Sequence, residues 1–195
     1  LKNPNHILIS RTDSIGDVIL TLPLAGLLKR IFPKVKISFL GQSYTKPILE
    51  SCEHIDQIIC WDEIKNLADT ELVKIFQAAQ ADAIIHVFPR REIASWVKAM
   101  RIPLRIGTRN RLYHWWTCNE FVGVSRKNSD AHEAELNLAL LQTFLSDKLP
   151  VREELARYYG LRSSKALSEE FRRLLSPDKI NLILHPKSKG SAREW

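Results

Sequence analysis

Between His6 and Ile106 short β-branched runs alternate with amphipathic stretches, which predicts an α/β fold of repeated βαβ units around a parallel sheet. Two details agree. The connections Gln80-Ala81-Asp82 and Arg101-Ile102-Pro103 are as short as compact α/β units require. The first apolar run, Ile7-Leu8-Ile9, passes through the polar loop Ser10-Arg11-Thr12-Asp13-Ser14 into Ile15-Gly16-Asp17-Val18, the layout of a strand feeding a helix.

The expected strands are His6–Ile9, Lys36–Leu40, Gln57–Trp61, Ala83–Val87 and Leu104–Ile106, with helices over Asp17–Ile31, Thr45–Cys52, Glu63–Ala79 and Arg90–Met100. Pro23 lies inside the first of these helices and should kink it or sit in an early turn. After Ile106 the periodicity loosens into a basic, aromatic loop from Gly107 to Trp116, a plausible ligand wall. Ala134, Leu138, Leu141 and Leu145 then recur at helical spacing, so a helix is expected over Ala131–Leu145 with Asp130 available as its cap. Arg162 to Lys165 reads as a polar linker, followed by a helix over Leu167–Leu175, a strand over Ile180–Leu184 and a loop to Trp195. Residues 1–160 are therefore expected to form one α/β domain and residues 161–195 the linker, first strand and loop of a second. Because a lone strand and loop bury no apolar face, and the first residue is not Met, the sequence is expected to be part of a longer protein.

Composition narrows the function classes. With 45% hydrophobic and 26% charged residues the chain reads as globular rather than disordered. Cys52, Cys60 and Cys118 are odd in number and lack CxxC spacing, which indicates neither a disulfide framework nor a zinc site and fits a reducing cytoplasm. The longest apolar stretch, from Val18 to Leu28, is interrupted by Thr21 and Pro23 and falls short of the ~20 residues that span a bilayer. A net charge of +7 favours an acidic partner, whether nucleic acid, an anionic membrane surface or a phosphorylated substrate. The basic residues are scattered and no zinc-finger, helix-turn-helix or RNP pattern occurs, so nucleic acid is not expected. Neither GxGxxG nor GxxxxGK[ST] is present, which argues against other nucleotide-binding Rossmann enzymes.

Four segments together resemble the glycosyltransferase family 9 enzymes, the lipopolysaccharide heptosyltransferases. They are Arg11 to Val18 followed by Leu22-Pro23 and Leu28-Lys29; Arg105-Ile106-Gly107; His132 to Leu141; and Leu184-His185-Pro186 through Arg193-Glu194-Trp195. The resemblance implies a GT-B architecture of two facing Rossmann-like domains, the N-terminal one binding the acceptor and the C-terminal one ADP-heptose. The implied reaction is inverting transfer of heptose to the Kdo or heptose of the lipopolysaccharide inner core, in the cytoplasm, with contact at the inner membrane surface. It implies no cofactor and no metal, and the sequence has no DxD motif. Residues 1–195 alone are expected to be poorly active or inactive, because the resemblance puts most of the donor domain beyond Trp195.

An acceptor hydroxyl attacks only once a carboxylate takes its proton, and inversion places that base opposite the leaving group. Asp17 is the candidate general base; its bland alternative is a residue favoured at helix starts. Asp13 is the competing carboxylate, read as a loop residue. Gly16 reads both as a turn glycine and as clearance for a sugar. Acceptor binding is assigned to Arg11, Ser14, Gly16, Arg90 and Arg109, with Arg11 the best of the arginines; Arg90, Arg91, Arg109 and Arg111 read equally as surface charges. Lys187, Ser188, Lys189, Ser191 and Arg193 are assigned to the donor phosphates, with a solvated basic loop as the alternative. Trp115 and Trp116 fit sugar stacking, a membrane interface or core packing. His132 is expected to cap a helix or to serve between domains. A non-catalytic domain binding an acidic glycolipid, or a family 9 transferase with another nucleotide-sugar donor, are the alternatives carried forward.

Overall fold

Strands form where apolar residues run without interruption, since both faces of a parallel sheet are covered. In a computed structural model that describes residues 3–124, 129–145, 148–163 and 166–184, these are β1 (His6–Ser10), β2 (Lys36–Gly41), β3 (Gln57–Cys60), β4 (Ala83–His86), β5 (Leu104–Thr108) and β6 (Glu120–Val122). All pair in parallel in the order β3-β2-β1-β4-β5-β6, so the winding reverses between β1 and β4. Side-chain alternation divides the core into two layers. Ile7, Ile9, Ile37, Phe39 and Ile85 pack on one face with Val18, Leu24 and Leu28; Leu8, Leu40 and Ile84 pack on the other with Leu72, Phe76, Ile93 and Val97.

The helices are more broken than the periodicity suggests. The expected Asp17–Ile31 helix is two, α1 (Ile15–Ile19) and α2 (Leu22–Ile31). Pro23 stands at the start of α2, where its missing N–H costs nothing. The Leu20 carbonyl at the break accepts from Asn137 Nδ2 at 3.1 Å. A 3₁₀ turn, Ser43–Thr45, precedes α3 (Lys46–Glu50). The stretch expected as Glu63–Ala79 is α4 (Trp61–Ile64) and α5 (Asp69–Ala79), with Ala68 extended between them and Asp69 and Glu71 favouring a fresh start. On α6 (Arg91–Ala99) Arg90 is the cap rather than a helical residue.

The loop expected after Ile106 instead completes β5 and contains α7 (His114–Thr117), and β6 was not anticipated because Glu-Phe-Val is short and carries a charge. The expected Ala131–Leu145 helix is α8 (Glu133–Leu138) tightened into a 3₁₀ segment, Ala139–Phe144. Its cap is His132, not Asp130: Nδ1 accepts from the Ala134 N–H at 3.3 Å, while the His132 N–H donates to Glu135 at 2.7 Å. A second 3₁₀ segment, Arg152–Tyr158, lies against α2.

Contacts divide the chain into Leu1–Arg162 and Ser163–Trp195. Leu161 still bridges to Cys52, and the Arg162 N–H donates to Ser51, so both residues stay with the first unit. In the second unit α9 (Glu169–Leu174) forms, but residues 180–184 are not a strand. Among the described residues no strand pairs with them, and Ile180 is 97% exposed.

Gly26 of α2 lies so close to the second 3₁₀ segment that a β-carbon would stand 2.1 Å from the Tyr158 carbonyl oxygen. Gly26→Ala should therefore destabilise the domain by roughly 2 kcal/mol or more, read as a lower urea midpoint. His86 is fully buried against His114, with ring centroids 5.4 Å apart. Burial first, and the positive charge of His114 and Arg105 second, push its pKa from 6.5 down to about 3. A depressed folded pKa gives stability that is present above 6.5 and lost as pH falls toward about 3. Acid unfolding should therefore be steep in that window, and His86→Leu should flatten it by on the order of a few kcal/mol.

Candidate active site

The reversal of winding opens a crevice at the carboxyl ends of β1 and β4, the usual ligand position in open α/β sheets. A cavity of about 420 Å³ lies there, lined by Arg11, Asp13, Asp17, Leu20, Phe88, Pro89, Arg111 and Glu133. The Arg11 N–H donates to the Leu40 carbonyl at 3.0 Å, which ties the start of the loop to β2.

Arg11 is only 3% exposed, yet its guanidinium meets three carboxylates. Nε reaches Asp13 Oδ1 at 2.7 Å, one terminal nitrogen reaches Asp17 Oδ1 at 2.7 Å, and the other reaches Glu133 Oε1 at 3.2 Å and Asn137 Oδ1 at 3.4 Å. A fixed fork of five donors suits such a cluster as a lysine does not. Burial raises the Asp13 carboxyl above its ordinary value, Arg11 pulls it back, and Asp17 pushes it up again. Among the described residues no group of three or more His, Cys, Asp or Glu side chains is arranged for a metal ion; the cation among these acids is Arg11.

Asp17 is in the first turn of α1. Ser14 caps that helix, and its hydroxyl donates to Asp17 Oδ2 at 2.6 Å. With Oδ1 on Arg11 and Oδ2 on Ser14 the carboxylate is held at both oxygens, yet its side chain keeps 36% of its exposure and faces the cavity. Each oxygen retains a lone pair for a third donor. Gly16 is helical, not a left-handed turn residue, which corrects its turn-glycine reading. A β-carbon there would meet nothing within 4 Å.

The remaining sequence candidates separate. Arg90 is turned onto the loop: Nε donates to Thr12 Oγ1 at 2.5 Å and a terminal nitrogen to the Thr12 carbonyl at 3.2 Å. It lines a different cavity of about 440 Å³ with Gln42, Trp61 and Trp96. Arg109 is exposed at the end of β5 and does not line the Asp17 cavity, whereas Arg111 does. Lys187, Ser188, Lys189, Ser191 and Arg193 lie outside the described residues. Sequence reasoning missed Glu133 and Asn137, which reach Arg11 across more than a hundred residues; the available signal was an acidic first turn and a buried-face Asn on α8.

No protein-family model matches the chain. It is 31% identical to a putative glycosyltransferase of Haemophilus influenzae over 95% of this chain and 55% of that protein, so it spans about half the length of that relative. A family 9 glycosyl transferase from Veillonella parvula superposes with a TM-score of 0.65 at 17% identity, covering 92% of this chain and 52% of that one. E. coli heptosyltransferase WaaC with ADP gives 0.59 at 20% identity, over 78% and 52%. E. coli ADP-heptose lps heptosyltransferase II gives 0.61 at 17% identity, over 87% and 49%. These likenesses establish a shared α/β fold of GT-B type.

Replacing Arg11 by Met leaves three carboxylates around an apolar side chain, so urea unfolding should show a loss of about 3–5 kcal/mol, as for other broken buried ion pairs. Arg11→Lys should recover only part of it, because one ammonium cannot reach all four partners.

Proposed function

We propose that this chain, which belongs with the family 9 glycosyltransferases, is the acceptor-side part of an inverting transferase that moves heptose from ADP-heptose to the Kdo or heptose of the lipopolysaccharide inner core. The observation that carries this reading is Asp17: a half-exposed carboxylate facing a cavity, clamped at both oxygens and left with lone pairs to spare. In it, the acceptor hydroxyl donates to Asp17 and passes its proton there as the oxygen attacks the anomeric carbon, and the nucleotide leaves from the opposite face.

Arg11 works behind this step. Its guanidinium fixes Asp17 and, by offsetting Asp13 and Glu133, lets three acids stand together at one crevice. Arg111 gives the cavity wall a cation for acceptor carboxylates or phosphates. Gly16 leaves room for the sugar. Heptose as the donor sugar is supported by two likenesses, to E. coli heptosyltransferase WaaC with ADP-2-deoxy-2-fluoro heptose and to E. coli ADP-heptose lps heptosyltransferase II. The donor phosphates are assigned to Lys187, Ser188, Lys189, Ser191 and Arg193 on the family resemblance.

The test is ADP release by the full-length protein supplied with ADP-heptose and a Kdo-bearing lipid A acceptor. Acceptor-dependent release is expected, with Asp17→Asn lowering kcat by ~10²–10⁴ while the thermal melt stays unchanged. Near-normal turnover in Asp17→Asn would move the base to Asp13. A folded protein with no release from ADP-heptose would point to another donor sugar.

A further inference from the structure

The cavity that Arg90 lines shares no residue with the one at Asp17. Its volume of about 440 Å³ falls within the range of small-molecule sites, roughly 300–1,000 Å³. Three strand ends build the wall: Gln42 follows β2, Trp61 and Lys65 follow β3, and Arg90, Glu92 and Trp96 follow β4. That is the carboxyl edge at which open α/β sheets take ligands. The rings of Trp61 and Trp96 stand 5.0 Å apart between centroids at 58°, with Trp61 buried and Trp96 partly exposed. Asp62 accepts from the Ser43 N–H at 2.8 Å and from the Ser43 hydroxyl, which ties the start of α4 to the turn that Gln42 opens.

Two of these residues also hold the loop that leads to Asp17. The Thr12 carbonyl accepts from Gln42 Nε2 at 3.0 Å and from an Arg90 terminal nitrogen at 3.2 Å, while Arg90 Nε donates to the Thr12 hydroxyl. Arg11 and Asp13, on either side of Thr12 in the chain, line the Asp17 cavity. The Arg90 guanidinium lies over the Phe88 ring at 5.2 Å from its centroid, and Phe88 belongs to that second wall as well. A guanidinium has five N–H groups, so Arg90 keeps donors for an anion while it holds Thr12.

We propose that this cavity is a second ligand site, for an anionic sugar unit, and that its occupant steadies the loop at residues 11–14 through Thr12. An indole face takes the C–H side of a sugar ring, while Glu92 and the Gln42 amide suit its hydroxyls. Arg90 and Lys65 suit its acid group, and two cations against one carboxylate leave the wall positive, which favours a charged sugar over a neutral one. A ligand that pairs with Arg90 fixes the guanidinium, and the guanidinium fixes Thr12 between Arg11 and Asp13. The same chemistry is offered by a free sugar acid and by a non-reacting unit of a longer acceptor. The site stands on the cavity alone; its effect on transfer rests on the transferase reading.

The experiment is isothermal titration calorimetry of the full-length protein with glucuronate, beside glucose and acetate. Glucuronate is expected to bind more tightly than either. Lys65→Gln and Glu92→Gln, both exposed positions, should each weaken it roughly fivefold with unchanged thermal melts, whereas Asp17→Asn should bind it as the wild type does. No glucuronate binding, acetate bound as tightly, or Lys65 and Glu92 variants that bind as the wild type does would overturn the site. The ADP-release assay then reads the coupling. Arg90→Lys keeps the charge but loses the two-point hold on Thr12, so it should lower kcat roughly tenfold; an unchanged kcat would overturn the coupling. Free glucuronate that raises kcat marks an independent occupant, and glucuronate that raises the acceptor KM marks a place filled by the acceptor itself. Wild-type protein that releases no ADP would remove the transferase reading, and calorimetry would still decide the site.

Discussion

A single buried guanidinium organises the crevice at the carboxyl ends of β1 and β4. Arg11 joins the loop after β1, the first turn of α1 and the first two turns of α8 through Asp13, Asp17, Glu133 and Asn137. Desolvating one cation is expensive unless opposite charges surround it, and grouping three acids is expensive unless a cation stands among them. Each cost offsets the other only in this arrangement, so the position of Asp17 is tied to the docking of α8.

Asn137 couples that centre to the backbone. Its carbonyl oxygen accepts from Arg11, while its amide donates to Leu20 O and Thr21 Oγ1 at the break between α1 and α2. The break ends α1 after five residues, and Thr21, the cap of the buried, ten-residue α2, donates its hydroxyl to the Asp17 carbonyl at 2.9 Å, so the two helices stay joined at the break. Arg90 and Gln42 hold the other side of the same loop through Thr12. The loop is thus gripped from β2, the cap of α6 and α8 together, and Asp17 sits on a pre-set support.

The acid balance has a direction. Burial raises the Asp13 carboxyl, so its contribution favours the folded state below the ordinary carboxylate range and fades as pH rises through the folded value. His86, buried beside His114, works in the opposite sense, favouring the folded state as pH rises. The two come from one physical cause, removal of a titratable group from water, with the sign set by which form is charged.

The sequence by itself determined the α/β class, five of the six strands and the placing of Asp17 after the first, because apolar runs, short connections and a Gly-Asp helix start are local signals. The helix breaks at Thr21 and Ala68 and the short β6 escaped it, since each depends on packing set elsewhere in the chain or on too few residues to show a period, whereas His132 was among the expected caps. Only the tertiary structure decided which arginine does what. Arg11 binds acids in the interior, Arg90 braces Thr12, Arg109 leaves the cavity and Arg111 enters it. A charged side chain's role is set by what the fold brings within reach of it, and reach across more than a hundred residues leaves no trace in local pattern.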